Sequence, residues 1–369
     1  MKVIGCAWIC LLALCSVLAA RAKPNVLLLV SDDQRPDTIA ALGNKVIQTP
    51  SLDRLVNGGT SFLQATCGNP ICTPSRAEIL TGCSSFRNGV MDFGRKIRPE
   101  LATWPRTMGK GGYHAWYVGK WHNNDKPSTH GFSDSLGLYA GGGRKWYKPQ
   151  LDWKGMEVTG YRNWLFQTED GQMFPERGVG LTPDVSAKFA DAAISFIRRK
   201  TTKPFFLHVN FTAPHDPLLM PPGYQNKYDP TKIPLPKNFL PRHPFDHGNF
   251  EGRDERMLPW PRDPDMVRKN LAVYYAVISH MDEQIGRITR CIHSPRLDKN
   301  IGFANIPVAL ADEGTTFTVR GPFDDARARI SRRLPRWTLP RDERSRRICP
   351  LPPRHWRHPG GISAALAAS

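Results

Sequence analysis

From Pro24 to Val30 the chain reads Pro-Asn-Val-Leu-Leu-Leu-Val, a continuous apolar run, and it then breaks abruptly into Ser31-Asp32-Asp33. A strand with one face in water alternates apolar and polar residues. A continuous apolar run bounded by a polar turn therefore predicts a strand buried on both faces, as in a parallel sheet. Parallel neighbours need long crossover connections, usually helices, and the rest of the chain supplies both kinds of element. Tyr113 to Val118 predicts a second strand, Pro204 to Phe211 a third, and 306–311 a fourth ending at Asp312. Ser51 begins a short helix that Gly58-Gly59 ends, and Pro74 suits the first position of a helix running through Ala77, Ile79 and Leu80 to Gly82. Thr182-Pro183 opens a helix with Val185, Phe189, Ala192 and Phe196 on one face. In the clearest helix Val267, Leu271, Tyr274, Ile278, Met281, Ile285 and Ile288 alternate steps of four and three. Residues 220–265, rich in Pro and polar residues, predict a long surface excursion. Strands alternating with helices specify an α/β fold with a mostly parallel central sheet flanked by helices. In such sheets chemistry gathers at the carboxyl ends of the strands, where Asp32, Asp33, Lys120, His122, His215 and Asp312 all fall. His208, inside the third strand, reads as a core histidine.

Composition bounds the organisation. With 40% hydrophobic and 10% aromatic residues among 369, the chain can bury a sizeable core, which argues against disorder, collagen and coiled coil. The formal charge of +18 is unevenly spread: residues 23–314 carry +8, and residues 315–369 carry another +8 from 12 Arg and no Lys, with seven Pro. This sets three expected segments. Residues 1–22 combine Lys2, an apolar run from Val3 to Ala20 and Ala20-Arg21-Ala22 before Lys23, the pattern of a secretory signal peptide. They predict a secreted or periplasmic protein with no stable membrane anchor. Residues 23–314 form the expected catalytic body, and 315–369 an Arg/Pro-rich tail that is disordered or frame-shifted. Beyond the signal remain Cys67, Cys72, Cys83, Cys291 and Cys349, an odd number, so at least one thiol stays unpaired within an exported chain. Spacing leaves open whether Cys67 and Cys83 pair.

The stretch Cys72-Thr73-Pro74-Ser75-Arg76, followed by Ala77 and Thr81-Gly82, carries the chemistry. Cys72 sits at a helix start, where unsatisfied N–H groups and the positive dipole end favour an anion. Arg76 lies one turn on, where its fork can pair with that anion. A thiol in such a place is acidic and reactive. Local chemistry alone weighs evenly between this and a buried structural cysteine. The full pattern resembles the signature of the formylglycine-dependent (type I) sulfatases of the alkaline-phosphatase superfamily. That resemblance implies that Cys72 is oxidised to formylglycine, whose hydrate offers one hydroxyl to attack sulfur and a second to expel sulfate afterwards.

Other stretches resemble the family in the same order. Pro24-Asn25-Val26 through Asp32-Asp33 is similar to its first strand and cation-binding carboxylates, and implies Ca2+ held by Asp32, Asp33, the modified Cys72 and Asp312. Gly119-Lys120-Trp121-His122 resembles a block whose lysine contacts sulfate and whose histidine contacts nucleophile or sulfate; Asn123-Asn124 replace the usual apolar residue and glycine after it. Ala213-Pro214-His215-Asp216-Pro217 resembles the block whose histidine contacts the ester and is a candidate acid for the leaving group. Tyr274-Tyr275 through Asp282 and Gly286 resembles the helix before the second half of the cation site. Glu313 stands where the family has Asn or His. After Gly314 the resemblance stops: the family's active-site lysine and smaller C-terminal domain are not recognisable, which implies an incomplete relative. The implied function is an exported sulfatase acting on a sulfated small molecule or glycan, served by a formylglycine-generating enzyme. The alternatives are a phosphonate or phosphate ester hydrolase of the same superfamily and an inactive relative. The +8 of the body suits attraction of sulfated substrates and gives no specific support to nucleic-acid binding.

Overall fold

The computed structural model describes residues 23–290 in full and, beyond them, the backbone of two short antiparallel hairpins. The hairpins, His293–Ser294 with Lys299–Asn300 and Thr316–Val319 with Ala326–Arg329, belong to a separate unit, His293–Gly361. The expected signal segment, the strand at 306–311, Asp312 and Glu313 lie outside the described residues.

Six strands form one sheet: β1 (Val26–Val30), β2 (His114–Lys120), β3 (Asp134–Ala140), β4 (Leu165–Gln167), β5 (Met173–Val179) and β6 (Phe205–Asn210), in the order β1-β6-β2-β3-β4-β5. The first four in that order are parallel. The two last, β4 and β5, pair antiparallel at the edge, an addition that no apolar run announced. β2 extends two residues beyond the expected span, so Lys120 closes the strand.

Both faces of the sheet are buried, as the unbroken apolar runs require. On one side Trp116, Val118, Leu207 and Val209 pack against Phe189 and Phe196 of helix α4 (Val185–Ile197) and against Met281, Ile285 and Ile288 of helix α5 (Pro264–Arg290). On the other side Ala115, Tyr117 and Phe206 meet Ala77 and Leu80 of helix α2 (Cys72–Thr81). Each fully buried aromatic or aliphatic side chain here contributes about 1.5–3 kcal/mol. Helix α1 (Pro50–Gly58) and helix α3 (Trp104–Lys110) complete the helical layers.

The segment 220–265 departs from the expected surface excursion in one respect. Most of it is turns, yet Tyr228 and Ile233 are buried against Leu271, Tyr275 and Ile278 of α5. The Tyr228 hydroxyl accepts from the Gln48 N–H at 2.8 Å and lies 2.5 Å from Ser279 Oγ. Two buried side chains among many polar ones leave no periodic signal, so pattern alone could not find this anchor. Among the described residues no helix is long and apolar enough to cross a membrane.

Candidate active site

Strand register assembles the site. Val30 of β1 and Gly119 of β2 both pair with Asn210 of β6. The residues that follow these three strands, Asp32 and Asp33, Lys120 to His122, and Thr212 to Asp216, therefore leave the sheet at one edge. At Gly119 the β2–β3 register shifts by a bulge, and its φ is +98°. A Cβ there would lie 2.0 Å from the Asn210 carbonyl oxygen, so only glycine fits. Such bulges re-aim the next side chain, and here Lys120 is turned inward, 1% exposed.

The Lys120 ammonium ion-pairs with the Asp32 carboxylate, which is fully buried. Asp32 also accepts from the Tyr161 hydroxyl at 3.1 Å, and its second oxygen lies 3.5 Å from an Arg76 guanidinium nitrogen. Burial alone would raise the Asp32 pKa, but the charges of Lys120 and Arg76 outweigh it and hold the carboxyl well below the usual carboxylate range. Tyr161 was missed in the sequence. It stands just before β4, and because Leu165 pairs antiparallel with Ala140, the last residue of β3, this segment returns to the carboxyl edge. Only the antiparallel pairing reveals that.

Cys72 is the first residue of α2 itself, two positions earlier than Pro74 would place the start. Its thiol hydrogen-bonds with His215. Burial pushes the thiol pKa up, but that bond and the Lys120 charge outweigh it and leave it lowered. Burial would depress His215, yet its bond to Cys72 and the nearby Asp32 carry it up to about 9. Arg76, one turn along α2, is 2% exposed, and none of its three side-chain nitrogens has a hydrogen-bond partner in the described protein. Unfilled donors on a buried guanidinium are expensive, and an anionic ligand would fill them. His122 is pushed down to about 3 by burial and by the neighbouring Lys120 and Arg76 charges, so its ring is neutral. The Thr73 hydroxyl donates to the His122 carbonyl at 2.6 Å, fixing that turn on the start of α2.

Asp33 sits in the left-handed region at φ +59°, which Asp tolerates. Its carboxylate lies 3.6 Å from His215 Nε2. Asp33, His215 and Asp216 bring one ligand atom each within 4.8 Å of one another. The two carboxylates of this cluster offer oxygen donors of the kind a hard divalent cation takes. Helix α5 holds this loop from behind: the Tyr274 hydroxyl donates to the Asp33 carbonyl at 2.7 Å and accepts from the Arg35 N–H at 2.8 Å. His208 is buried among the rings of Tyr117, Phe132 and Phe206, as the sequence suggested for a core histidine, but it is not a satisfied one, since neither ring nitrogen has a hydrogen-bond partner among the described residues. Cys67 and Cys83 are free thiols, each near a local carbonyl oxygen, those of Asn69 and Thr81. The ligand position expected at Asp312 lies outside the described residues.

Comparison with known proteins identifies the family. An arylsulfatase of Clostridium perfringens is 29% identical over 286 residues, 72% of this chain and 58% of that one. An N-acetylglucosamine-6-O-sulfatase of Bacteroides thetaiotaomicron is 30% identical over 234 residues, 63% of this chain and 36% of that one. The chain thus spans less than two thirds of these relatives. The crystal structure of a putative sulfatase from Bacteroides fragilis superposes with a TM-score of 0.50 at 23% identity, covering 77% of this chain and 62% of that one, and supports the fold. The sequence profile of the sulfatase family matches residues 24–305, and the chain accordingly belongs to the sulfatase family.

Proposed function

We propose that this protein is an exported sulfatase that hydrolyses sulfate esters of sugars, with Cys72 converted to formylglycine by a formylglycine-generating enzyme. The observation that carries the reading is the placement of Cys72 at the positive end of a buried helix. There it touches His215, with the buried cations Arg76 and Lys120 on either side of Asp32. The names of the sulfatase relatives, one of them a sugar sulfatase, support the substrate class. The Val3 to Ala20 run supports export to the periplasm or outside the cell.

Asp32 and Asp33, with the modified Cys72 and Asp312, would hold a Ca2+ ion. When bound, the ion supplies a positive charge for the ester oxygen and the attacking hydroxyl. Formylglycine, once hydrated, supplies a nucleophile that releases its own product. The other duties fall to the chain's own side chains. Arg76 orients the nucleophile and fills its donors with an anion. Lys120 stabilises negative charge on the sulfuryl oxygens, an effect that dry surroundings strengthen. His122, neutral, contacts the nucleophile or the sulfate through its ring. His215 is placed to donate a proton to the departing alcohol oxygen.

The deciding measurement is the mass of the peptide containing Cys72 after coexpression with a formylglycine-generating enzyme, paired with turnover of 4-nitrophenyl sulfate. Loss of the sulfur and turnover are expected; an unmodified thiol would sink the mechanism. A higher rate on phosphonate or phosphate esters than on sulfate would assign the site to that alternative chemistry.

A further inference from the structure

Tyr117 lies in the same strand as Lys120, near its end, and is fully buried. Its hydroxyl donates to the Lys120 carbonyl oxygen and accepts from Asn210 Nδ2 of the neighbouring strand β6. We propose that Tyr117 and Asn210 are positioning residues, which through the Lys120 backbone hold its ammonium beside Asp32 and the sulfuryl group. The proposal rests on the hydrolase reading above, because that reading gives Lys120 an anion to meet.

The strand register shows why this carbonyl needs a holder. The pairing of β2 with β6 ends at Gly119, and the pairing of β2 with β3 shifts register between Val118 and Gly119. Lys120 thus lies past the last β6 pair and directly after a bulge, where the ladder is disrupted. The next tie on the chain is the Trp121 N–H, which donates to the Tyr139 carbonyl at 2.8 Å. The Tyr117 bond fills the interval between bulge and tie. An ammonium rides on a flexible four-carbon stem, so its place depends on where the backbone beneath it is held.

The other end of the link is equally fixed. Asn210 is 3% exposed and is the common register partner of Val30 and Gly119, the strand residues from which the Asp32 loop and Lys120 leave the sheet. One amide therefore joins the rows that deliver a buried carboxylate and its cation. The Tyr117 ring does not need its oxygen to pack. It meets Trp121 and Phe132 at 5.0 Å and His208 at 5.5 Å, contacts that a phenylalanine ring makes as well. What the oxygen adds is one donated and one accepted hydrogen bond. Without it the Asn210 amide and the Lys120 carbonyl each lose a buried partner.

The test is a double-mutant cycle of Tyr117→Phe with Lys120→Met, read on 4-nitrophenyl sulfate and by urea denaturation. In the wild-type background Tyr117→Phe should lower kcat about tenfold and change KM by less than about twofold, since the displaced ammonium serves the transition state. In the Lys120→Met background the same change should cost less than about twofold in kcat. An equal factor in both backgrounds would show that Tyr117 supports the fold alone and would overturn the proposal. If Tyr117→Phe does not fold, Asn210→Ser, which removes the amide donor and leaves the ring, takes its place in the cycle with about threefold expected. If wild type turns over no ester, the hydrolase reading falls and the urea midpoints decide. A smaller midpoint shift for Tyr117→Phe in Lys120→Met than in wild type supports the positioning of the Lys120 side chain; equal shifts overturn it.

Discussion

The guanidinium of Arg253 grips both carboxylate oxygens of Asp216, the residue next to His215. Asp216 Oδ1 in turn lies 3.2 Å from His215 Nδ1, and Arg253 Nε donates to Thr159 Oγ1 at 2.9 Å, two residues before Tyr161. One side chain from the 220–265 segment thus ties together the two loops that carry His215 and Tyr161. Arg253→Ala should lower kcat/KM on a sugar sulfate on the order of tenfold, a fraction of the 10²–10⁴ that a positioned general acid supplies. The loss should be smaller on 4-nitrophenyl sulfate, whose leaving group needs no proton. Arg253→Lys keeps the charge without the fork and should fall between. Equal losses on both esters would show that Arg253 only supports the fold.

Lys120 is the partner of a fully buried carboxylate. Replacing it with Met leaves the buried Asp32 carboxylate with only the Tyr161 hydroxyl and the more distant Arg76 guanidinium as partners, which costs at most about 3–5 kcal/mol. Urea denaturation in the presence of a chelator measures this directly. Adding Asp32→Asn to Lys120→Met should recover much of the loss, because the second change removes the stranded charge. Turnover should fall by about 10²–10³ in the single variant.

His208 gives stability a pH dependence of known sign. Burial first of all, and then the Arg76 charge, push it down to about 3, so it is neutral in the folded state, whereas an unfolded chain protonates it below about 6.5. Below that pH the unfolded state binds the extra proton, and stability falls as pH drops from 6.5 towards 3, by at most about 1.4 kcal/mol per pH unit. Wild type should therefore lose about 2 kcal/mol more than His208→Leu between pH 7 and pH 5. Urea midpoints at the two pH values read the difference, and parallel losses would refute it.

Helix α5 also caps another helix from a distance. The Asp282 carboxylate accepts from the Ser51 and Leu52 N–H groups at 3.0 and 2.7 Å, satisfying the open start of α1. Asp282→Ala should cost about 1–2 kcal/mol. Nearby, a Cβ on Gly286 would come within 2.5 Å of Ser51 Oγ, so Gly286→Ala should cost about 1–3 kcal/mol through overpacking. Thermal unfolding tests both; an unchanged Tm in either variant would contradict the corresponding contact.

The sequence by itself determined three of the six sheet strands, β1, β2 and β6, the principal helices and the strand-end positions of Asp32, Lys120 and His215. It did so because a doubly buried strand has to be apolar throughout and then break into polar residues where it leaves the sheet. The Cys72 to Arg76 spacing likewise set one helical turn between a reactive thiol and a guanidinium. Tertiary structure decided what those residues meet. The Gly119 bulge turned Lys120 inward, the antiparallel edge brought Tyr161 to Asp32, and Arg253 reached Asp216 from a segment that looked like surface. Tyr274 and Asp282 reach across more than 200 residues to pin the Asp33 loop and the start of α1. Contacts of that kind rest on register and on single hydrogen bonds between distant residues, so they leave no period of 2 or 3.6 for a sequence to display.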